Sequence, residues 1–249
     1  MCLFVLSPDD KIQQLVVIHV DDILHAHVSG LDEPFKEYLT SHFEIKHHTG
    51  PTLQYLSIEM QRQTNGDLWL DQCQYVKEIT DQIELTSPTI ESPWDPISWR
   101  KCMLMNAQLG KKEAATFAEV LGQLQYLASH TRIDITPVVS VLAPHLLTPT
   151  EGDQIMLARC LHYLKANPSM PLVFKADSNF TITAEADASW NLHPNGKSHM
   201  ASAIYLGNAL VHFKSKSSHK LCRPSAMQRP SLKFTQLTKL CKSETCCSN

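Results

Sequence analysis

Two short apolar runs separated by a pair of carboxylates constrain this chain more than any other feature. Leu15-Val16-Val17-Ile18-His19-Val20 leads into Asp21-Asp22, and Ile23-Leu24-His25-Ala26-His27-Val28 leads out. Both runs are rich in β-branched residues and have strand length, so the acids are expected at or near the turn of a hairpin. Adjacent carboxylates repel unless a cation lies between them. Hard divalent cations such as Mg²⁺ take carboxylate oxygens, and two-metal sites clamp an in-line phosphoryl transfer. As a dipeptide alone, the pair is served more simply by a solvated Asp-Asp turn. Its neighbours decide.

Downstream, Leu31 to Leu39 carries a helix signal, with acids and Pro34 in its first turn and Phe35, Leu39 and Phe43 assigned to one face. Leu53 to Met60 reads as one strand, and Asn65-Gly66 is a hairpin turn into Asp67-Leu68-Trp69-Leu70. A short helix is expected from Tyr75 to Leu85, with Tyr75, Val76, Ile79 and Ile83 inward. Residues 86–112 form a connector containing Pro and Trp. Two amphipathic helices follow, one lined by Phe117, Val120, Leu121, Leu124 and Leu127, the other by Ile155, Ala158, Leu161 and Leu164. Strands return at Leu172-Val173-Phe174 and from Phe180 to Asp187, and Gly207-Asn208 joins Ala203-Leu206 to Ala209-Phe213 as a hairpin. This order predicts an α+β protein in which sheets are layered with helices. Trp94, Trp99 and Trp190 read as packing residues.

Composition narrows the class. With 43% hydrophobic and 19% charged residues, the chain matches an ordinary globular protein, and no stretch approaches the ~18 apolar residues of a membrane span. The opening Met1 to Leu6 is too short and too little basic for a secretory leader. Eight cysteines show no zinc spacing and read as reduced thiols of an intracellular protein. Cys246-Cys247 is given no role. From Lys197 onward there are nine Lys/Arg against one acid, Glu244, whereas the rest of the chain holds 13 basic and 24 acidic side chains. A basic end on an acidic body suits a phosphate-backbone contact, or equally a disordered tail.

In order along the chain, these blocks resemble the polyprotein of a copia-type LTR retrotransposon across its junction of reverse transcriptase and RNase H. His19-Val20-Asp21-Asp22 matches the family's Tyr-Val-Asp-Asp box, and Cys2-Leu3-Phe4-Val5 the strand before it. Tyr55-Leu56-Ser57-Ile58-Glu59 resembles Phe/Tyr-Leu-Gly-Ile-Glu, and Leu70 to Val76 resembles Leu-Ser-Gln-x-x-Tyr-Ile. Gly122-Gln123-Leu124-Gln125-Tyr126-Leu127 is similar to Gly-x-Leu-x-Tyr-Leu. Thr131-Arg132-Ile133-Asp134-Ile135 resembles Thr-Arg-Pro-Asp-Ile, and His162-Tyr163-Leu164-Lys165 resembles Arg-Tyr-Leu-Lys. Asp187-Ala188-Ser189-Trp190 resembles the Asp-Ala-Asp-Trp that opens RNase H. Each box is weak alone; their order is specific.

The resemblance implies an RNA-directed DNA polymerase joined to a nuclease, both using two ions of Mg²⁺ or Mn²⁺. It implies a partial polymerase palm (antiparallel sheet with helices) over residues 1–97, a helical connector over 98–170 and an incomplete RNase H-like α/β domain over 171–221. Residues 222–249 form an irregular tail. Asp21, Asp22 and Asp187 carry over as catalytic metal ligands, with Asp21 favoured for direct ligation. His19 stands where the family has Tyr, and Lys214 and Lys216 are expected near substrate phosphates, though a solvated strand end explains them equally. Ser57 replaces a Gly, with loss of backbone freedom. Implied partners are an RNA/DNA template-primer or RNA–DNA hybrid and other element-encoded proteins, in a cytoplasmic particle or the nucleus, with no membrane. His25 and His27 alternate onto one strand face, yet no third metal ligand is evident from the sequence.

In the family, the third polymerase Asp and the fingers precede the Cys-Leu-Phe-Val strand, so the polymerase set is expected to be incomplete here. Exposed sheet edges are then expected to favour aggregation or a partner. An inactive polymerase/RNase H segment is one reading. A non-enzymatic product, retained for nucleic-acid or protein binding through the basic residues after Lys197, is the other. The acidic RNase H helix is also absent: Ala226-Met227-Gln228-Arg229-Pro230 stands there. Those residues can be encoded so that reading two bases along gives Asn-Ala-Glu-Ala, so a frameshift is hypothesised near Leu221 to Pro224. Genomic sequencing is expected to show that alternate reading, and its absence refutes the frameshift.

Overall fold

A computed structural model describes residues 1–81, 90–179, 181–189 and 198–217. The described residues of the chain divide into two compact units, one over residues 1–62 and one over the described residues from 63 to 217. Its described strand pairs are all antiparallel, and helices accompany the sheets, so the α+β expectation holds. Ile83, Trp190 and the tail lie outside the described residues.

In the first unit, β1 (Cys2–Leu6), β2 (Gln14–His19) and β3 (Asp22–His27) form a meander in the order β1-β2-β3. Phe4, Val16 and His25 share one cross-strand row, which places Gln14, Val16, Ile18, Ile23, His25 and His27 on one face. Helix α1 (Asp32–His42) follows, begun by Asp32, Glu33 and Pro34 as expected. Phe43 is 63% exposed and lies just past the helix, which ends at His42, so it is not part of the assigned face. The stretch expected as one strand is two, β4 (Thr52–Tyr55) and β5 (Ile58–Arg62), joined at Leu56-Ser57. Both loop residues have positive φ, 50° and 58°. That is the backbone of a type I′ hairpin turn, which favours Asn-Gly and costs an L-residue about 1–2 kcal/mol. Neither Leu nor Ser announces it, which is why the sequence reads as continuous strand.

This unit has little core. Val16 is its one buried apolar side chain among the described residues, while Leu3, Phe4, Val5 and Leu6 on β1 are 47–63% exposed.

The second unit holds the core. It opens with a turn in which Gln63 N–H donates to Asp67 O at 2.8 Å around Asn65-Gly66, as expected, and β6 (Leu68–Asp71) follows, paired with β7 (Leu172–Phe174). Helices α2 (Cys73–Thr80), α3 (Pro96–Cys102), α4 (Lys111–His130), α5 (Thr136–Leu142) and α6 (Glu151–Ala166) pack together. Of the expected α4 stripe, Phe117, Leu121, Leu124 and Leu127 are buried and Val120 packs half-buried against the core. Trp99 is buried in the same core and Trp94 packs beside Trp99 at 5.0 Å between rings, consistent with packing roles.

The expected α6 stripe holds at Leu161 and Leu164, which pack in or against the core, and fails at Ile155 and Ala158. Ile155 is 47% exposed and Ala158 also faces water, while Gly152, Asp153, Met156, Leu157, Cys160, Tyr163 and Leu164 are buried. The cause is close approach: a Cβ on Gly152 would lie 2.0 Å from the carbonyl oxygen of Cys102. The smallest residue therefore faces α3 and rotates Ile155 outward. Helix α5 was not anticipated, because Val138-Val139-Ser140-Val141 reads as β-branched; Pro137, at the start of the helix, fits its first turn. The unit continues into β8 (Ile182–Ser189), β9 (His199–Leu206) and β10 (Ala209–Ser217), in the order β10-β9-β8 with α5 against β10.

The Thr131-Arg132-Ile133-Asp134 segment ties these helices together. Arg132, 0% exposed, donates through Nε to Asp134 Oδ1 (3.0 Å), through Nη2 to Asp134 Oδ2 (2.7 Å) and through Nη1 to the Asn167 carbonyl (2.7 Å). Tyr163 OH donates to Asp134 Oδ2 at 2.8 Å, and Thr131 Oγ1 donates to Gln72 Oε1 at 2.8 Å. Burial pulls the guanidinium pKa down, but the Asp134 carboxylate and Tyr163 outweigh it and keep the group charged. Removing the carboxylate strands a buried cation. Asp134→Ala is expected to destabilise the protein by about 3–5 kcal/mol in urea denaturation, and a loss under ~1 kcal/mol contradicts this account.

A candidate metal-binding cleft

The β2–β3 hairpin delivers the two carboxylates as expected. His19 pairs directly with Asp22 and the loop is Val20-Asp21, with Val20 at φ 53°. A β-branched residue in that region is a genuine outlier, and such outliers concentrate where a tight turn or a site imposes them. Asp21, Asp22 and His19 are all exposed. Asp21 and Asp22 line one part of a cleft of about 710 Å³ within the first unit, which also includes Phe35, Leu53, Tyr55 and Met60. The Tyr55 hydroxyl is buried there without a hydrogen-bond partner; burial first, and then the Asp22 charge, push its pKa up. The two carboxylates suit a hard divalent cation. Among the described residues, no third His, Cys, Asp or Glu ligand atom gathers with them.

A different cluster occupies the same cleft. His25, His27 and Asp32 bring their ligand atoms within 4.8 Å of one another. His25 Nδ1 is 3.7 Å from Asp32 Oδ1, His27 Nε2 is 3.6 Å away and His47 Nε2 is 3.8 Å away. The period-2 reading placed His25 and His27 on one face, as observed. The third group was missed because the link from β3 folds back through Gly30, at φ 94°, and drops the first turn of α1 beside the imidazoles. Phe35 packs on His25 at 4.4 Å between rings, tilted by 49°. Burial and then the neighbouring His27 push the His25 pKa down against the pull of Asp32, which favours a neutral ring.

Asp187 is exposed on β8, opposite Ala201, which in turn opposes Ser215. Lys214 and Lys216 oppose Ser202 and Met200, so they point to the other face of that sheet from Asp187. The structure therefore does not bring these lysines together with Asp187.

Comparison with known proteins places the chain. It is 26% identical over 175 residues to a transposon Ty5-1 protein of Saccharomyces cerevisiae, covering 70% of this chain and 56% of that protein. The chain is thus similar to a transposon protein. It is also 25% identical over 215 residues to an uncharacterized mitochondrial protein of Arabidopsis thaliana, covering 84% of this chain and 86% of that one. The matched stretch thus spans little more than half of the yeast relative. No family profile and no solved structure matches the chain.

Proposed function

We propose that this chain is a segment of a copia-type retrotransposon polyprotein, with reverse-transcriptase palm, helical connector and RNase H-like strands in that order. The observation that carries the reading is the position of Asp21 and Asp22. Two consecutive carboxylates occupy the tip of a hairpin whose loop holds Val20 at positive φ, and they face a cleft rather than a smooth surface. That geometry suits Mg²⁺ or Mn²⁺ at the end of a primer strand, with Asp21 in the loop and Asp22 on β3. In this reading His19, paired with Asp22, contacts nucleic acid.

Two-metal phosphoryl transfer needs ligands that clamp both the attacking and the leaving oxygen. Among the described residues neither Asp21-Asp22 nor Asp187 belongs to such a set. The chain by itself is therefore assigned binding without turnover. Lys214 and Lys216, on the face away from Asp187, favour a contribution of that strand to backbone contact rather than to hydrolysis.

Purified chain tested with an RNA template and DNA primer, and with RNA–DNA hybrid, separates the possibilities. The expected result is binding that weakens with rising salt, without Mg²⁺-dependent extension or hybrid cleavage. Absence of binding at every salt concentration contradicts the polymerase-segment reading. Extension by the chain alone, abolished by Asp21→Asn, contradicts its incompleteness.

A further inference from the structure

We propose that His25, His27 and Asp32 form a transition-metal site of the Zn²⁺ class, distinct in ligand chemistry from Asp21-Asp22 and independent of any polymerase role. The donors are His25 Nδ1, His27 Nε2 and Asp32 Oδ1, with His47 Nε2 within reach of the same carboxylate oxygen.

Spacing is the first support. Separations of 3.6–3.8 Å between the ring nitrogens and Asp32 are too long for hydrogen bonds, whose N···O distances are about 2.7–3.2 Å. They are close to the ~3.3 Å that separates ligand atoms around a tetrahedral ion with bonds of about 2.0–2.1 Å. A small inward movement closes the site.

The second support lies behind the ligands. His27 Nδ1 is 3.0 Å from the Val28 carbonyl, which fixes the proton on Nδ1 and leaves the Nε2 lone pair facing Asp32. A backbone carbonyl in that position is the usual outer partner of a metal-bound imidazole. His25 Nε2 lies 2.8 Å from the Gln14 amide nitrogen; a half-turn of that amide, which exchanges its nitrogen and oxygen, presents the oxygen to a ring that carries its proton on Nε2. His25 Nδ1 is then bare toward Asp32.

The third is need. Val16 is the one buried apolar side chain described in the first unit, too little to hold a meander against a helix. An ion shared by β3 and the first turn of α1 joins the two elements, and its binding free energy becomes folding free energy. Imidazole nitrogen with one carboxylate selects Zn²⁺ over Mg²⁺, which takes oxygen ligands.

Calorimetric titration of the full metal-free chain with Zn²⁺ tests the site, with Co²⁺ absorption to report the ligands. The expected result is a saturable site that His27→Ala and Asp32→Asn each weaken at least about tenfold, while His212→Ala leaves it unchanged. Bound Co²⁺ is expected to give tetrahedral bands without thiolate charge transfer. Where His27→Ala does not fold, Asp32→Asn, which preserves side-chain size, and the Co²⁺ spectrum of the unaltered chain decide. Unchanged Zn²⁺ affinity in Asp32→Asn, a thiolate spectrum, or no saturable binding overturns the proposal.

Discussion

A guanidinium sealed from water must find acceptors for its N–H groups, and where Arg132 finds them fixes how the helices of the second unit meet. Asp134 takes two of its hydrogen bonds and the carbonyl at the end of α6 takes a third. Tyr163 from α6 adds its hydroxyl to the same carboxylate and its ring lies under the guanidinium at 5.7 Å. Thr131, one residue earlier, anchors Gln72 at the start of α2. A buried ion pair of this kind gives little net stability relative to an apolar substitute, but it tolerates the loss of neither partner. Its consequence is one arrangement of α2, α4 and α6, on which the apolar stripe of Phe117, Leu121, Leu124 and Leu127 can close.

The first unit is built on the opposite principle. Its sheet carries polar and ionisable groups, His25 and His27, on the same face as Val16, and leaves the apolar side chains of β1 in water. Strain sits where the carboxylates are presented, at Val20, and again at Leu56-Ser57. Positive φ at residues other than glycine persists only when the surroundings over-determine it. A unit with so little buried surface has a small reserve for holding such turns, so ligands in its cleft have correspondingly large leverage on its stability.

Much of this was legible in the residues, for stated reasons. Enrichment in β-branched residues and strand length on either side of Asp21-Asp22 gave the hairpin, the 3.6-residue stripe gave α4, and Gly207-Asn208 gave the β9–β10 turn. The illegible parts each had a local cause. Leu56-Ser57 has no turn chemistry, Val138-Val141 imitates a strand although it follows a helix-starting proline, and the inward face of α6 is set by the room Gly152 leaves for Cys102. For the cleft, Asp21 and Asp22 were visible as adjacent letters. His25 and His27 were visible as alternate letters, but Asp32 was not, because a reversal of the chain between β3 and α1 brings it in, outside any fixed ligand spacing.

Order in this chain is carried by the Arg132-centred helices, while the carboxylate hairpin is held weakly. Native-state hydrogen exchange of the metal-free chain measures this directly. The amides of α4 and α6 are predicted to exchange slowest, and those of β2 and β3 to exchange far faster, through local opening. Protection of β2 and β3 equal to that of α4 would contradict the account.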